Sequence, residues 1–196
     1  SVTVSSTFAA SGDITFTSDS IDLNGGADSV SSTGAITLQP TASTTTVGVA
    51  GETGTLQLTT ADMDALADGF SMIYVGRSDA SGAMRIASLT VSDPITFRSP
   101  ASGGSITVTG QITATDNATV TFDTPTLYMG DNVVTNGQAV VFTGDVVLTS
   151  NVLVDTTNSG AVPAGASITF NGAVDADLAS NNRTLTLDAG TGGDIT

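Results

Sequence analysis

The chain has 196 residues, 22 of them glycine, and its 19 acidic residues against four arginines give a net charge of −15. Histidine, cysteine and lysine are absent. Without histidine and cysteine the chain cannot form a Ser-His-Asp or Cys-His nucleophilic centre, and it cannot form an ordinary zinc site. Without lysine, Schiff-base chemistry is also excluded. Four scattered arginines in an acidic chain would repel a phosphate backbone, so we expect no nucleic acid partner. No apolar run has the length of a membrane span, so we expect none.

Short triplets of alternating apolar and polar residues recur along the chain, each bounded by glycine, asparagine, aspartate, serine or proline. Period-two alternation between such residues predicts short strands with one buried face. The predicted strands are Ile14–Phe16, Ile21–Leu23, Ile36–Leu38, Leu56–Leu58, Ile73–Val75, Met84–Ile86, Leu89–Val91, Ile95–Phe97, Ile106–Val108, Val120–Phe122, Leu127–Met129, Val146–Leu148, Ile168–Phe170 and Leu185–Leu187. The middle residue of most triplets is threonine, which suits an exposed position in a sheet.

Two segments break this pattern. The stretch 41–54 is rich in threonine, serine and glycine without periodicity, which predicts a loop protruding between strands. Residues 60–69 predict a short helix, with hydroxyl side chains at its N-terminus, Asp62 three residues after Thr59, and Gly69 as the stop. We expect this helix to lie on the flank of the fold as an insertion.

The spacing of the triplets indicates a solenoid. Ile14 and Ile36 are 22 residues apart, and several other triplets are separated by 20 to 22 residues. Such a period is typical of stacked repeats, and it predicts a single domain over residues 1–196 with about nine coils of a parallel β-helix. The pairs Asn136-Gly137 and Asn171-Gly172 also fit hairpin turns, so an antiparallel β-sandwich remains the alternative.

Several segments resemble the repeat regions of very large bacterial surface proteins of the filamentous-haemagglutinin type. They are 11–16, 60–70 with 73–77, 93–100 and 185–196, and the resemblance extends over essentially the whole chain. The closing Gly193-Asp194-Ile195-Thr196 repeats the sequence of Gly12 to Thr15. The resemblance implies a right-handed parallel β-helical shaft and an extracellular position at the bacterial cell surface. It specifies an architecture rather than a ligand.

No residue is predicted as catalytic, cofactor-binding or metal-binding. Aspartate pairs offer oxygen ligands of the kind calcium binds, but the repeat-toxin calcium motif is absent, so turn or cap roles are favoured over a calcium site. These acidic residues are Asp19 with Asp22, Asp62 with Asp64, Asp175 with Asp177, and Asp131 beside Asn132. Each arginine is expected to pair with a nearby aspartate on the outer face. Threonine triplets such as Thr107-Val108-Thr109 do not keep the solenoid period, which favours strand propensity over an ice-binding face.

These observations favour a non-enzymatic, structural or adhesive β-helical segment that acts as a rigid stalk or spacer. The alternative function is a self-assembling subunit of an extracellular filament or surface layer, and a polysaccharide-binding or polysaccharide-cleaving β-helix is the third. The expected partners are the protein itself, through adjacent repeats or end-to-end contact, and glycans of the cell surface or matrix.

Overall fold

The computed structural model describes residues 1–196 as 23 short strands and one helix, α1 (Thr60–Asp64). The strands are β1 (Val2–Val4), β2 (Phe8–Ala9), β3 (Ile14–Thr17), β4 (Ile21–Leu23), β5 (Val30–Ser31), β6 (Ala35–Gln39), β7 (Val47–Val49), β8 (Leu56–Leu58), β9 (Met72–Val75), β10 (Ala83–Ile86), β11 (Leu89–Val91), β12 (Ile95–Arg98), β13 (Ser105–Val108), β14 (Ile112–Ala114), β15 (Val120–Asp123), β16 (Thr126–Met129), β17 (Val133–Thr135), β18 (Val140–Phe142), β19 (Asp145–Leu148), β20 (Val152–Asp155), β21 (Ile168–Phe170), β22 (Val174–Ala176) and β23 (Leu185–Asp188). All fourteen predicted triplets lie in strands.

The strands wind into a three-sided parallel β-helix. The first face holds the pair β1-β4 and the seven-stranded sheet β8-β7-β10-β13-β16-β19-β22. The second face holds the pair β2-β5 and the five-stranded sheet β11-β14-β17-β20-β23, and the third face is the seven-stranded sheet β3-β6-β9-β12-β15-β18-β21. Every ladder in these sheets is parallel, so the β-sandwich alternative is wrong.

The coils vary in length more than the constant spacing suggests. Val120 pairs with Val140 after 20 residues, whereas Ile36 pairs with Ile73 after 37, because β7, β8 and α1 are inserted there. The third face has seven strands and one further bridge, Ile168 to Ile195, which makes eight coils rather than nine. Seven steps between coils give a rod about 34 Å long at about 4.8 Å per step.

A single core of 41 buried residues runs through the coils. Inward side chains of successive coils stack in columns because the parallel ladders keep them in register. The clearest column is aromatic: Phe97, Phe122, Phe142 and Phe170 stack with ring centroids 5.7, 5.5 and 4.6 Å apart. Each apolar side chain in such a column contributes about 1.5–3 kcal/mol through burial. The core is therefore continuous along the rod.

The helix starts where predicted but ends earlier. Thr59 is the N-cap of a capping box with Asp62, as the sequence indicates, yet α1 ends at Asp64 rather than near Gly69. After one turn the chain pairs with β5: the N–H of Val30 donates to the Ala65 oxygen and the N–H of Ala67 donates to the Val30 oxygen. These two backbone hydrogen bonds hold Leu66 in a parallel bridge with Val30, which a continued helix would not allow.

The segment 41–54 is not wholly a loop. Residues Val47–Val49 form β7, whose three residues are all buried, and β7 lies between β8 and β10 on the first face. The turn 50–55 returns the chain so that β8 runs parallel to β7 within the same coil. Gly48 at the centre of β7 hid the alternation of apolar and polar residues on which the prediction depended.

Candidate functional site

Asp62 lies in the first turn of α1, and its carboxylate accepts hydrogen bonds from neighbouring residues of the fold. It is buried and accepts hydrogen bonds from the N–H of Leu23 at 2.7 Å and from the N–H and hydroxyl of Thr59 at 2.8 and 2.6 Å. The first of these bonds joins α1 to β4 of the preceding coil. Asp62 therefore joins two coils that no backbone ladder connects on the first face.

Asp93 is the second buried carboxylate beside α1. It accepts hydrogen bonds from the N–H groups of Gly69 and Phe70, both within 3.2 Å, and so fixes the chain after α1 to the β11–β12 corner. Burial raises the pKa of Asp93, and this outweighs the effect of the two N–H donors; the nearby carboxyl of Asp68 acts in the same direction as burial.

Asp155 is also buried, but its pKa is lowered whereas that of Asp93 is raised. Burial alone would raise the pKa of this carboxyl, but hydrogen bonds from the hydroxyl and N–H of Thr157 and from the N–H of Ser159 together lower it. The carboxylate stabilises the turn after β20 by accepting hydrogen bonds from its backbone N–H groups. Like Asp62 and Asp93, it is satisfied by N–H and hydroxyl groups.

Other aspartates and asparagines join one coil to the next at the corners. The side-chain oxygens of Asp13, Asp19 and Asp145 accept the N–H of Ala35, Thr41 and Ala173, respectively, and Asn132 and Asn151 accept those of Leu153 and Thr184. Hydrogen bonds from the hydroxyl and N–H of Thr41 lower the pKa of Asp19. These are the turn roles that the sequence favours for such residues. No group of three acidic side chains is arranged to hold a metal ion.

The arginines have varied partners. Arg77 pairs with Asp79 at 2.7 Å and Arg183 with Asp177 at 3.0 Å, as expected, and hydrogen bonds from Arg183 and Asn181 hold the pKa of Asp177 well below its usual value. Arg85 pairs instead with Glu52 at 3.0 Å. Arg98 lies over the ring of Tyr74 at 3.3 Å from the ring centroid. No arginine lies among several carboxylates, the arrangement the polysaccharide-cleaving alternative would use.

The threonine triplets are spread over all three faces. The triplet at Thr107 lies on β13, the one at Thr121 on β15 and the one at Thr186 on β23. The third face nevertheless aligns hydroxyls from different coils in one outward column, which contains Thr15, Thr37, Thr96, Thr121 and Thr169 and is interrupted by Tyr74 and Val141. The sequence did not indicate this alignment because the coils differ in length.

The largest depression on the surface lies beside α1 on the second face. It has a volume of about 310 Å³, and a second one of about 300 Å³ continues along the same strand, β11. Asp64 and Thr90 line both. The strand triplets did not point to this place, although the predicted helix marked where the regular coil is interrupted.

Large apolar side chains are exposed mainly at the two ends of the rod. Phe8 is 38% exposed in the first coil, and Val174, Leu178 and Ile195 are 41%, 61% and 53% exposed in the last. Tyr128, on the first face, is the fifth exposed large apolar residue. The end strands also present backbone edges that no strand of this chain covers.

The structure contains no helix with the length and apolarity needed to cross a membrane. Comparison of the chain with known protein families, curated proteins and solved structures finds no match.

Proposed function

We propose that this chain is a rigid structural segment, a stalk or spacer, of a large bacterial cell-surface protein. The observation that carries the proposal is the core of 41 residues that continues through the coils. Bending such a rod would separate stacked side chains and stretch parallel ladders on one face, so the array resists it cooperatively. A net charge of −15 keeps neighbouring rods apart.

Electron microscopy of the purified chain over a range of concentrations tests this proposal. A stalk segment gives isolated short rods about 34 Å long, as the number of steps between coils predicts. Compact particles without an elongated axis would contradict the proposal. Repeating the experiment with and without calcium tests whether the rod or its assembly depends on this ion.

The second candidate function is end-to-end self-assembly, and the exposed apolar side chains at both ends favour it. Unpaired strand edges are templates for further pairing, and the end coils expose Phe8 opposite Leu178 and Ile195 at the two termini of the rod. Long filaments that grow with protein concentration support assembly. Ile195→Asp should then abolish filaments, whereas Tyr128→Ser, which removes an apolar side chain from the lateral surface, should leave them unchanged.

The surface location and a glycan partner are tested separately. Proteinase K, which does not require lysine or arginine, should remove the segment from intact cells if it is exposed, and permeabilised cells provide the control. Protection in intact cells and loss only after permeabilisation would contradict a cell-surface position. An array of surface and matrix glycans tests the glycan partner, and its result does not affect the stalk proposal.

A further inference from the structure

The second face of the β-helix is interrupted between α1 and β11. Before the interruption, β5 is followed only by the single bridge from Val30 to Leu66; after it, β11 is the edge strand of the five-stranded sheet. The edge of β11 toward α1 is therefore not paired with a strand. The sheet is open in the middle of the rod rather than at its ends.

The backbone of β11 presents hydrogen-bonding groups to this open edge. The N–H of Leu89 donates to the Gln111 oxygen and the Val91 oxygen accepts from the N–H of Thr115, so both residues face β14. Successive residues of a parallel strand bond to opposite sides. The N–H and C=O of Thr90 thus point toward the interruption, where an added strand would find them.

The depression at this edge has an apolar floor. Met63, Leu66, Ile73 and Val91 form that floor, which reaches the core of the rod through the gap in the second face. The adjoining depression extends the groove to Ser88 and Gln111, so the groove runs along the whole of β11. Such a surface accepts one inward apolar side chain of an extended segment.

The rim of the groove is acidic. Asp28 and Asp64 line the rim, the buried Asp93 lies deeper in the groove, and no arginine lines it. Asp28 and Asp64 are exposed, so their carboxylates are accessible to a cation on a bound segment. The charge of the rim therefore complements a basic partner.

We propose that this groove binds an extended basic peptide segment of another protein, which adds as a strand to the edge of β11. Side chains of a strand alternate between faces, so an apolar residue enters the floor while lysine or arginine on either side reaches Asp28 and Asp64. A second copy of this chain is a poor occupant. It has no lysine, three of its arginines are in ion pairs and the fourth lies over Tyr74.

Binding of a fluorescent, capped peptide of about seven residues, in which lysine and valine alternate, tests the proposal by fluorescence anisotropy at low and moderate salt. The control peptide has the same composition with its lysines and valines grouped in separate blocks. Two variants disable the site in different ways. Asp28→Asn combined with Asp64→Asn removes the rim charges. Thr90→Pro removes the N–H of Thr90, which points toward the open edge of β11, and an edge strand tolerates proline at such a position.

The matched control for charge is Asp116→Asn combined with Asp194→Asn, which changes the net charge equally at exposed positions outside the groove; Asp116, like Asp28, has a positive φ. The alternating peptide should bind the unaltered chain in preference to the grouped one. The rim variant should weaken binding about tenfold, as expected for loss of two exposed ion pairs of ordinary strength. Thr90→Pro should weaken it comparably, and the control variant should bind normally. Circular dichroism confirms that each variant is folded.

Absence of binding to the unaltered chain would overturn the proposal. Equal losses in the rim and control variants would also overturn it, because they would indicate general attraction to an acidic chain. If Thr90→Pro does not fold, the rim variant and its control decide the question alone.

Discussion

Replacing Phe122 by alanine tests whether the aromatic column stabilises the rod. Phe122 is fully buried between Phe97 and Phe142, with centroid distances of 5.7 and 5.5 Å. Truncating a buried phenylalanine to alanine costs about 3–5 kcal/mol of the free energy of unfolding. Because both stacking partners are lost, we expect the upper end, about 5 kcal/mol.

Phe170 provides the matched comparison within the same column. It stacks only on Phe142, at 4.6 Å, and is partly exposed, so Phe170→Ala should cost about 2 kcal/mol. Urea titration followed by circular dichroism measures both losses, since the chain has no tryptophan to report unfolding by fluorescence. Equal losses at the two positions would refute the reasoning, because the cost would then not depend on the number of stacked neighbours.

Three further predictions concern single residues near the coil junctions. Asp62→Ala should cost about 3 kcal/mol, because it leaves the N–H groups of Leu23 and Thr59 without an acceptor, and Asp62→Asn should cost less than half as much in the same titration. The pKa of Asp93 is raised in the folded chain above its ordinary value of 3.8, so its contribution to stability is largest at low pH and is lost as pH rises through the folded pKa. Asp93→Asn should remove this decline, and an unchanged slope of unfolding free energy against pH would contradict the assignment. Gly76 has a φ of +94° and an added Cβ would lie 2.2 Å from the Arg98 oxygen, so Gly76→Ala should cost about 3 kcal/mol, whereas Gly12→Ala, with open space around it, should be nearly neutral by thermal melting.

The strands were predictable because their information is local. Alternation in a triplet such as Ile106–Val108 states which side chains are buried whatever the chain does elsewhere, and all fourteen predicted triplets became strands. Nine strands were missed. They include β5, which has only two residues, and also β1, whose triplet Val2–Val4 alternates as clearly as the predicted ones.

The spacing of the triplets predicted which strands pair between coils only where the coils have a regular length. The spacing from Met84 to Ile106 and on to Leu127 matches true ladder partners. The spacing from Ile36 to Leu56 does not, because these residues lie on different faces. An insertion changes the spacing between triplets but does not alter the alternation of apolar and polar residues in the triplets that follow it.

The sequence by itself determined the alternating strands, the capped start of α1, the corner residues and the absence of nucleophilic histidine or cysteine chemistry. The tertiary structure decided where α1 ends, how Asp62 and Asp93 are satisfied, and that an open groove lies along β11. Each of these depends on which coils are neighbours. On the third face, residues paired between neighbouring coils are between 20 and 37 positions apart in the chain, as for Val120 with Val140 and Ile36 with Ile73. Backbone hydrogen bonds between coils, such as those between Val30 and residues 65–67, outweigh the local preference of the helix to continue.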